Sequence, residues 1–230
     1  MTRYPFPKID LHLHLDGSLL PATMVELAAA QGVPLPADTP EGYLEYVREA
    51  TGCGSVNRYL EVFEHPVAVM QDAGSITRIT KELIELLASQ GVAAAEIRMA
   101  PQLHTRRGLT QAEVTQAVLE GRRQGLAACP DIKIGILLCM MCIGPEAVNH
   151  AANAETVEVA GRYLGQGVVG LDLAGAEGFD PLSAFAPLFY RAAALGIPFT
   201  CHAGDSQGPE TVRDLSLIHI SEPTRLALIS

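Results

Sequence analysis

The segment from Lys8 to Ser18 reads KIDLHLHLDGS, and its two histidines, His12 and His14, stand in a run that alternates polar and apolar side chains. Successive side chains of an extended strand leave opposite faces. Asp10, His12 and His14 therefore share one face, and Ile9, Leu11, Leu13 and Leu15 the other. Two imidazoles one pleat apart can reach a single metal ion, and the Asp16-Gly17 turn that follows puts them at the C-terminal end of the strand. By itself the spacing also suits an edge strand with a wet polar face. A third histidine narrows the choice. His202 lies near the end of a second short apolar run, IPFTCHAG from Ile197 to Gly204, and each run has a glycine and an acid close behind its histidine, Asp16 in one case and Asp205 in the other. His14 and His202 are 188 positions apart. Only a fold that gathers the ends of distant strands brings them together, and a parallel barrel does so.

Five segments read as strands that end in polar or glycine-rich loops: Lys8 to His14, Val92 to Met99, Ile132 to Met140, Val168 to Leu173 and Ile197 to His202. Helical patterns separate them. Ser75 to Gln90 carries Ile76, Ile79, Leu83, Leu86 and Leu87 on one face, with Gly91 placed for a left-handed C-terminal cap. Thr110-Gln-Ala-Glu113 has the form of a capping box at the head of a helix with Val114, Val118 and Leu126 as its apolar stripe. Pro145 to Leu164 runs to Gly165, and Asp180-Pro181 supplies an N-cap and first-turn proline for a helix ending at Leu195-Gly196. Strand and helix in alternation predict an α/β fold with a parallel sheet, a (β/α)8 TIM-type barrel of which about five βα units are present. The connection from Leu20 to Gln90 is far longer than a βα link needs. It predicts a helical insertion after the first strand, including Ala22 to Gln31 and Arg58 to Asp72.

KIDLHLHLDGS, GLDLAGAEG and TCHAGDSQGPET, in this order and over Pro5 to about Arg213, resemble the adenosine deaminase family of metal-dependent amidohydrolases. The resemblance implies one Zn2+ per subunit on His12, His14 and His202, and hydrolytic deamination of adenosine or a close aminopurine to inosine and ammonia. It implies Asp205 as the acid that protonates the purine ring, where the family carries a glutamate one C–C bond, about 1.5 Å, longer. Asp16 matches the residue that holds the ribose, and Gly175 the glycine whose N–H contacts the purine. Ala176 stands where an acid is usual. Tyr59 and Phe63 of the insertion are candidates for the pocket wall or for the insertion's own core. Arg98 and Glu177 read as structural charges at strand ends, and the lone His65, His104 and His150 as solvated. A further histidine and aspartate of the family site have no counterpart before Ser230. The chain as written is therefore expected to bind zinc weakly and to show no deamination. The stretch Leu215 to Ser230 departs from the family pattern and resembles translated adaptor read-through, which divides the chain into a partial hydrolase barrel over 1–214 and a non-native tail over 215–230. Resequencing the source locus tests that division.

Composition bounds the alternatives. At 230 residues and 48% hydrophobic content the chain can bury a large core. A net charge of −10, with 16 basic residues dispersed, gives no face for nucleic acid and no polybasic membrane patch. A small purine nucleoside is the expected partner; oligomeric state is not encoded legibly. No secretion signal or membrane span is evident, so the expected compartment is the cytoplasm. The five cysteines, Cys53, Cys129, Cys139, Cys142 and Cys201, are expected to be reduced. Cys139 and Cys142 form a CxxC on a strand, a spacing that sends the thiols to opposite faces. Within the same chemistry an adenine or aminodeoxyfutalosine deaminase is the alternative. From other classes come a metal-dependent phosphoesterase barrel, which an acidic chain serves poorly, and an inert truncated fragment.

Overall fold

The computed structural model describes residues 6–52, 61–205 and 207–220. Four parallel strands, β1 (Lys8–His14), β2 (Val92–Met99), β3 (Lys133–Cys142) and β4 (Val168–Gly175), lie side by side in the order of the sequence. Helices cover one face of this arc. Ile97, Met99, Ile134, Ile136, Leu138, Met140, Leu171 and Leu173 are buried in the core formed there. The other face carries His12, His14, Arg98, Cys139 and Asp172, the interior side of an open β/α barrel. Cys142 belongs to the helix-side core and Cys139 to a separate small cluster with Ala100, Met141 and Ala174, as the strand alternation predicts.

The expected fifth strand is the first correction. Ile197 to His202 forms only an isolated parallel bridge, Leu171 to Phe199. Leu171 N–H donates to the Pro198 carbonyl, and Thr200 and His202 N–H donate to the Leu171 and Leu173 carbonyls, each at 2.9 Å. The segment follows β4 by these bonds, and Pro198 removes one donor from a continuous ladder. A second irregularity lies in β1. Asp10 pairs with Ala95 and Leu13 with Ile97, so β1 carries one residue more than β2 between them, a bulge at Leu11 and His12. Ile9 and Leu11 on the flank of this strand are 67% and 58% exposed.

The insertion after β1 holds α1 (Pro21–Gln31), α2 (Pro40–Thr51) and α3 (Glu64–Val69). Tyr59, Cys53 and the start of the Arg58 to Asp72 segment lie outside the described residues. Then α4 (Ala73–Ser89) begins at Asp72, whose carboxylate accepts the Ser75 N–H at 2.8 Å, and stops before Gly91 at φ +78°. Helix α5 (Gln111–Ala128) opens with the capping box of Thr110 and Glu113. Two glycines let α4 and α5 approach closely: a Cβ on Gly121 would lie 2.4 Å from the Thr77 carbonyl oxygen, and one on Gly125 would lie 2.8 Å from Ile84 Cβ. Gly121→Ala is therefore expected to destabilise the fold by about 1–3 kcal/mol through overpacking, read by urea denaturation. An unchanged midpoint would show that the two helices slide apart freely.

Helix α6 (Glu146–Tyr163) follows β3, α7 (Ala186–Ala194) follows β4 and a 3-10 turn at Leu182–Phe185, and α8 (Pro209–Ile220) ends the described chain. Asp180 does not cap the helix after it. Its carboxylate accepts the Glu146 N–H at 2.6 Å and so caps α6, 34 residues back in the chain. Among the described residues no helix is long and apolar enough to cross a membrane.

Candidate metal centre

His12 and His14 leave the C-terminal end of β1, and His202 reaches them from the segment bonded to the end of β4. The three ring centroids are 4.6–5.4 Å apart, and one potential ligand atom of each ring lies within 4.8 Å of the other two. His14 Nε2 and His202 Nε2 stand 3.2 Å apart. Two nitrogens on one tetrahedral zinc, each bonded at 2.0–2.1 Å, are separated by about 3.3 Å. The donor set and spacing fit such an ion.

Protonation favours ligation too. Burial, followed by the neighbouring His202 and His12 rings, pushes His14 down to about 4, and burial with Arg98 and His202 lowers His12. Both rings are neutral at pH 7. For His202, burial acts in the lowering direction, but the Asp172 carboxylate outweighs it and raises the ring. His202 Nδ1 lies 2.9 Å from Asp172 Oδ2 and 3.1 Å from the Leu173 carbonyl oxygen. Both atoms accept, so Nδ1 carries the proton and Nε2 turns its lone pair to the cluster.

Asp172 is fully buried. Arg98 Nη1 donates to its Oδ2 at 2.8 Å, Thr200 Oγ1 donates to Oδ1 at 2.9 Å, and the Cys139 thiol lies 3.8 Å from Oδ2. Burial alone would raise its carboxyl, but His202, Arg98 and Thr200 together hold it below the ordinary value. Asp172 was not singled out by the sequence reading. The available signal was an acid in the middle of an otherwise apolar strand, VVGLDLAG, because a charge at such a position must be paired. Arg98, read as a charge at a strand end, is its partner, only 3% exposed.

The other expected site residues sit around this cluster without joining it. Asp16 is buried; its Oδ1 has no hydrogen-bond partner, and burial pushes its carboxyl up to about 6 despite the Asp16 and Gly17 N–H groups. It lines a cavity of about 220 Å³ with Gly17, Tyr43, Val62, Phe63 and Pro66. Phe63 lines this cavity and packs edge-on to His14, centroids 6.3 Å apart. Gly175 ends β4 at φ +127°, where a Cβ would meet the Cys142 carbonyl oxygen at 2.9 Å; that close strand contact by itself requires glycine. Asp205 is exposed on the loop three residues after His202. Glu177 Oε1 accepts the Gly204 N–H at 2.7 Å and Oε2 the Gln207 N–H at 3.3 Å, fixing that loop. His150 is solvated beside Glu146, and His65 is half-buried. His104 corrects the expectation of a solvated ring: it is 0% exposed in the turn after β2.

A parallel β/α arc with a histidine cluster at the C-terminal ends of its strands is the arrangement of a β/α-barrel protein with its site at the C-terminal face. The chain belongs to the adenosine deaminase family, whose model, described as adenosine deaminase, matches residues 7–225. An adenosine deaminase from Haemophilus ducreyi is 44% identical over 208 residues, covering 89% of this chain and 60% of that protein. Among solved structures, an adenine deaminase from Arthrobacter aurescens superposes with a TM-score of 0.76 at 27% identity, covering 93% of this chain and 62% of the other. An amidohydrolase from Burkholderia ambifaria, solved with bound Zn, shares the fold with a TM-score of 0.78 at 23% identity, over 93% of this chain and 57% of the other. The chain thus spans less than two thirds of the length of each.

Proposed function

We propose that His12, His14 and His202 hold a single zinc ion and that the whole protein hydrolytically deaminates a 6-aminopurine, adenosine first among them. The observation that carries this reading is the 3.2 Å approach of the His14 and His202 Nε2 atoms, with the His202 tautomer fixed by Asp172. Zinc, when bound, supplies the Lewis acidity that lets water attack at neutral pH. Asp205 protonates the purine ring nitrogen, so that the electron pair added to the ring settles on a neutral atom. Asp16 accepts a hydrogen bond from the ribose; its buried, unpartnered Oδ1 beside the cavity supports that role. The Gly175 N–H orients the purine. The adenine deaminase likeness supports the second reading, a free base as substrate.

The full-length product of the encoding gene tests the reaction: loss of adenosine absorbance with stoichiometric ammonia, abolished by chelator, is expected. Zinc-loaded protein that leaves adenosine, adenine and N6-substituted purines unchanged would overturn it. For the metal, His202→Ala is expected to weaken zinc binding at least about 100-fold, because a structural-site affinity of about 10–16 kcal/mol shared over four ligands assigns about 3 kcal/mol to each. Competition against a chromophoric chelator reads the change; affinity within threefold of the unaltered protein would remove His202 from the ligand set.

A further inference from the structure

The bulge in β1 leaves Leu11 and His12 without partners in the β1–β2 register. Side chains take over. Arg98 Nη2 donates to the Leu11 carbonyl at 2.7 Å, and the His12 N–H donates to Asp10 Oδ1 at 3.0 Å. The same guanidinium gives its other arm, Nη1, to Asp172 Oδ2 at 2.8 Å, and that oxygen receives His202 Nδ1 at 2.9 Å. One planar fork, buried on β2, thus reaches the peptide just before one imidazole and the carboxylate just behind another, across β1 to β4. We propose that Arg98 is a positioning residue of the histidine cluster, setting His12 through the bulged Leu11 peptide and His202 through Asp172.

This inference rests on the metal reading and adds a requirement that reading does not contain: the geometry needs a fork, not merely a positive charge. Lysine is a point charge and can serve the Leu11 carbonyl or Asp172, but not both at these two angles. A bulge re-aims a side chain only if its freed backbone groups are satisfied, and Arg98 satisfies this one from the interior of the barrel arc.

The test is cobalt(II) titration of chain 1–230 followed by its visible absorption, which reports coordination geometry as well as affinity. Outer-shell substitutions commonly cost 10–100-fold in metal affinity. Arg98→Met is expected to weaken cobalt binding by that factor and to alter the band shape. Arg98→Lys keeps the charge and the fold and is expected to recover only part of the loss, with the band still altered. Gly121→Ala, destabilising but remote, controls for a general loss of stability and is expected to leave both readouts unchanged. In the metal-free chain, nitrogen-15 shifts are expected to report the Nδ1–H tautomer for His202. Arg98→Lys with unaltered affinity and spectrum, or an Nε2–H tautomer in the unaltered chain, would overturn the proposal while the ligand set stands. Absence of cobalt binding by the full-length product of the encoding gene would overturn the metal reading and the proposal with it.

Discussion

Asp172→Ala is expected to lower the stability of the chain by about 3–5 kcal/mol, because it leaves the charge of Arg98 inside the protein with no counter-ion. Arg98 is 3% exposed and Asp172 is fully buried, so water cannot substitute for the missing carboxylate. Thr200 and His202 would each lose an acceptor as well. The paired replacement Arg98→Met with Asp172→Leu should recover most of that loss, since removing both charges also removes the cost of desolvating them. Urea denaturation in the presence of chelator reads both, independently of any metal. A loss below 1 kcal/mol for Asp172→Ala would mean that the guanidinium finds water by local opening.

The second large effect concerns pH. His104 is buried in the turn after β2, and neither ring nitrogen makes a hydrogen bond of normal geometry. Burial drives the ring down to about 4; the Met70 backbone, close by, offsets part of that, and Arg106 adds to the depression. The folded state therefore keeps His104 neutral where the unfolded chain, with an ordinary value near 6.5, binds a proton. Its contribution to stability is fully present above pH 6.5 and is lost as the pH falls toward 4. That difference is worth about 3 kcal/mol across the window. His104→Leu is expected to reduce the stability gap between pH 7 and pH 4 by this amount, while His14, depressed to the same range, keeps part of the acid sensitivity. Denaturant midpoints at the two pH values check it; an unchanged gap would show the ring already protonated or solvated in the fold.

The parts of the fold legible in the sequence were those set by local chemistry. Alternation in KIDLHLH places the histidines on one face of β1, and the Thr110–Glu113 spacing opens α5, because both depend on residues a few positions apart. What stayed hidden depends on distant partners. Asp180 looks like the cap of its own helix, yet the donor it serves is 34 residues upstream. The run from Ile197 to His202 has the composition of a strand, but its pairing is decided by how β4 and Pro198 meet. Arg98 and Asp172 are 74 residues apart, and neither declares the other; only the burial of an acid in VVGLDLAG hinted that a cation must exist. The burial of His104 is not legible in composition, which cannot tell a ring on a turn that faces water from one that packs beside the Met70 backbone. Of the site, then, the imidazoles were readable and their supports were not.

Each strand of the arc lies beside its predecessor in the chain, β1 to β4 without a crossing. Such an order lets the sheet extend at one edge as the polypeptide leaves the ribosome, each new strand meeting its predecessor after a helical crossover rather than through a local turn. The imidazole at 202 is the exception, arriving 188 residues after its counterpart at 14. Nascent chains shorter than that would carry the four-stranded arc without the third imidazole, so the proposed metal cluster is complete only when synthesis has passed residue 202.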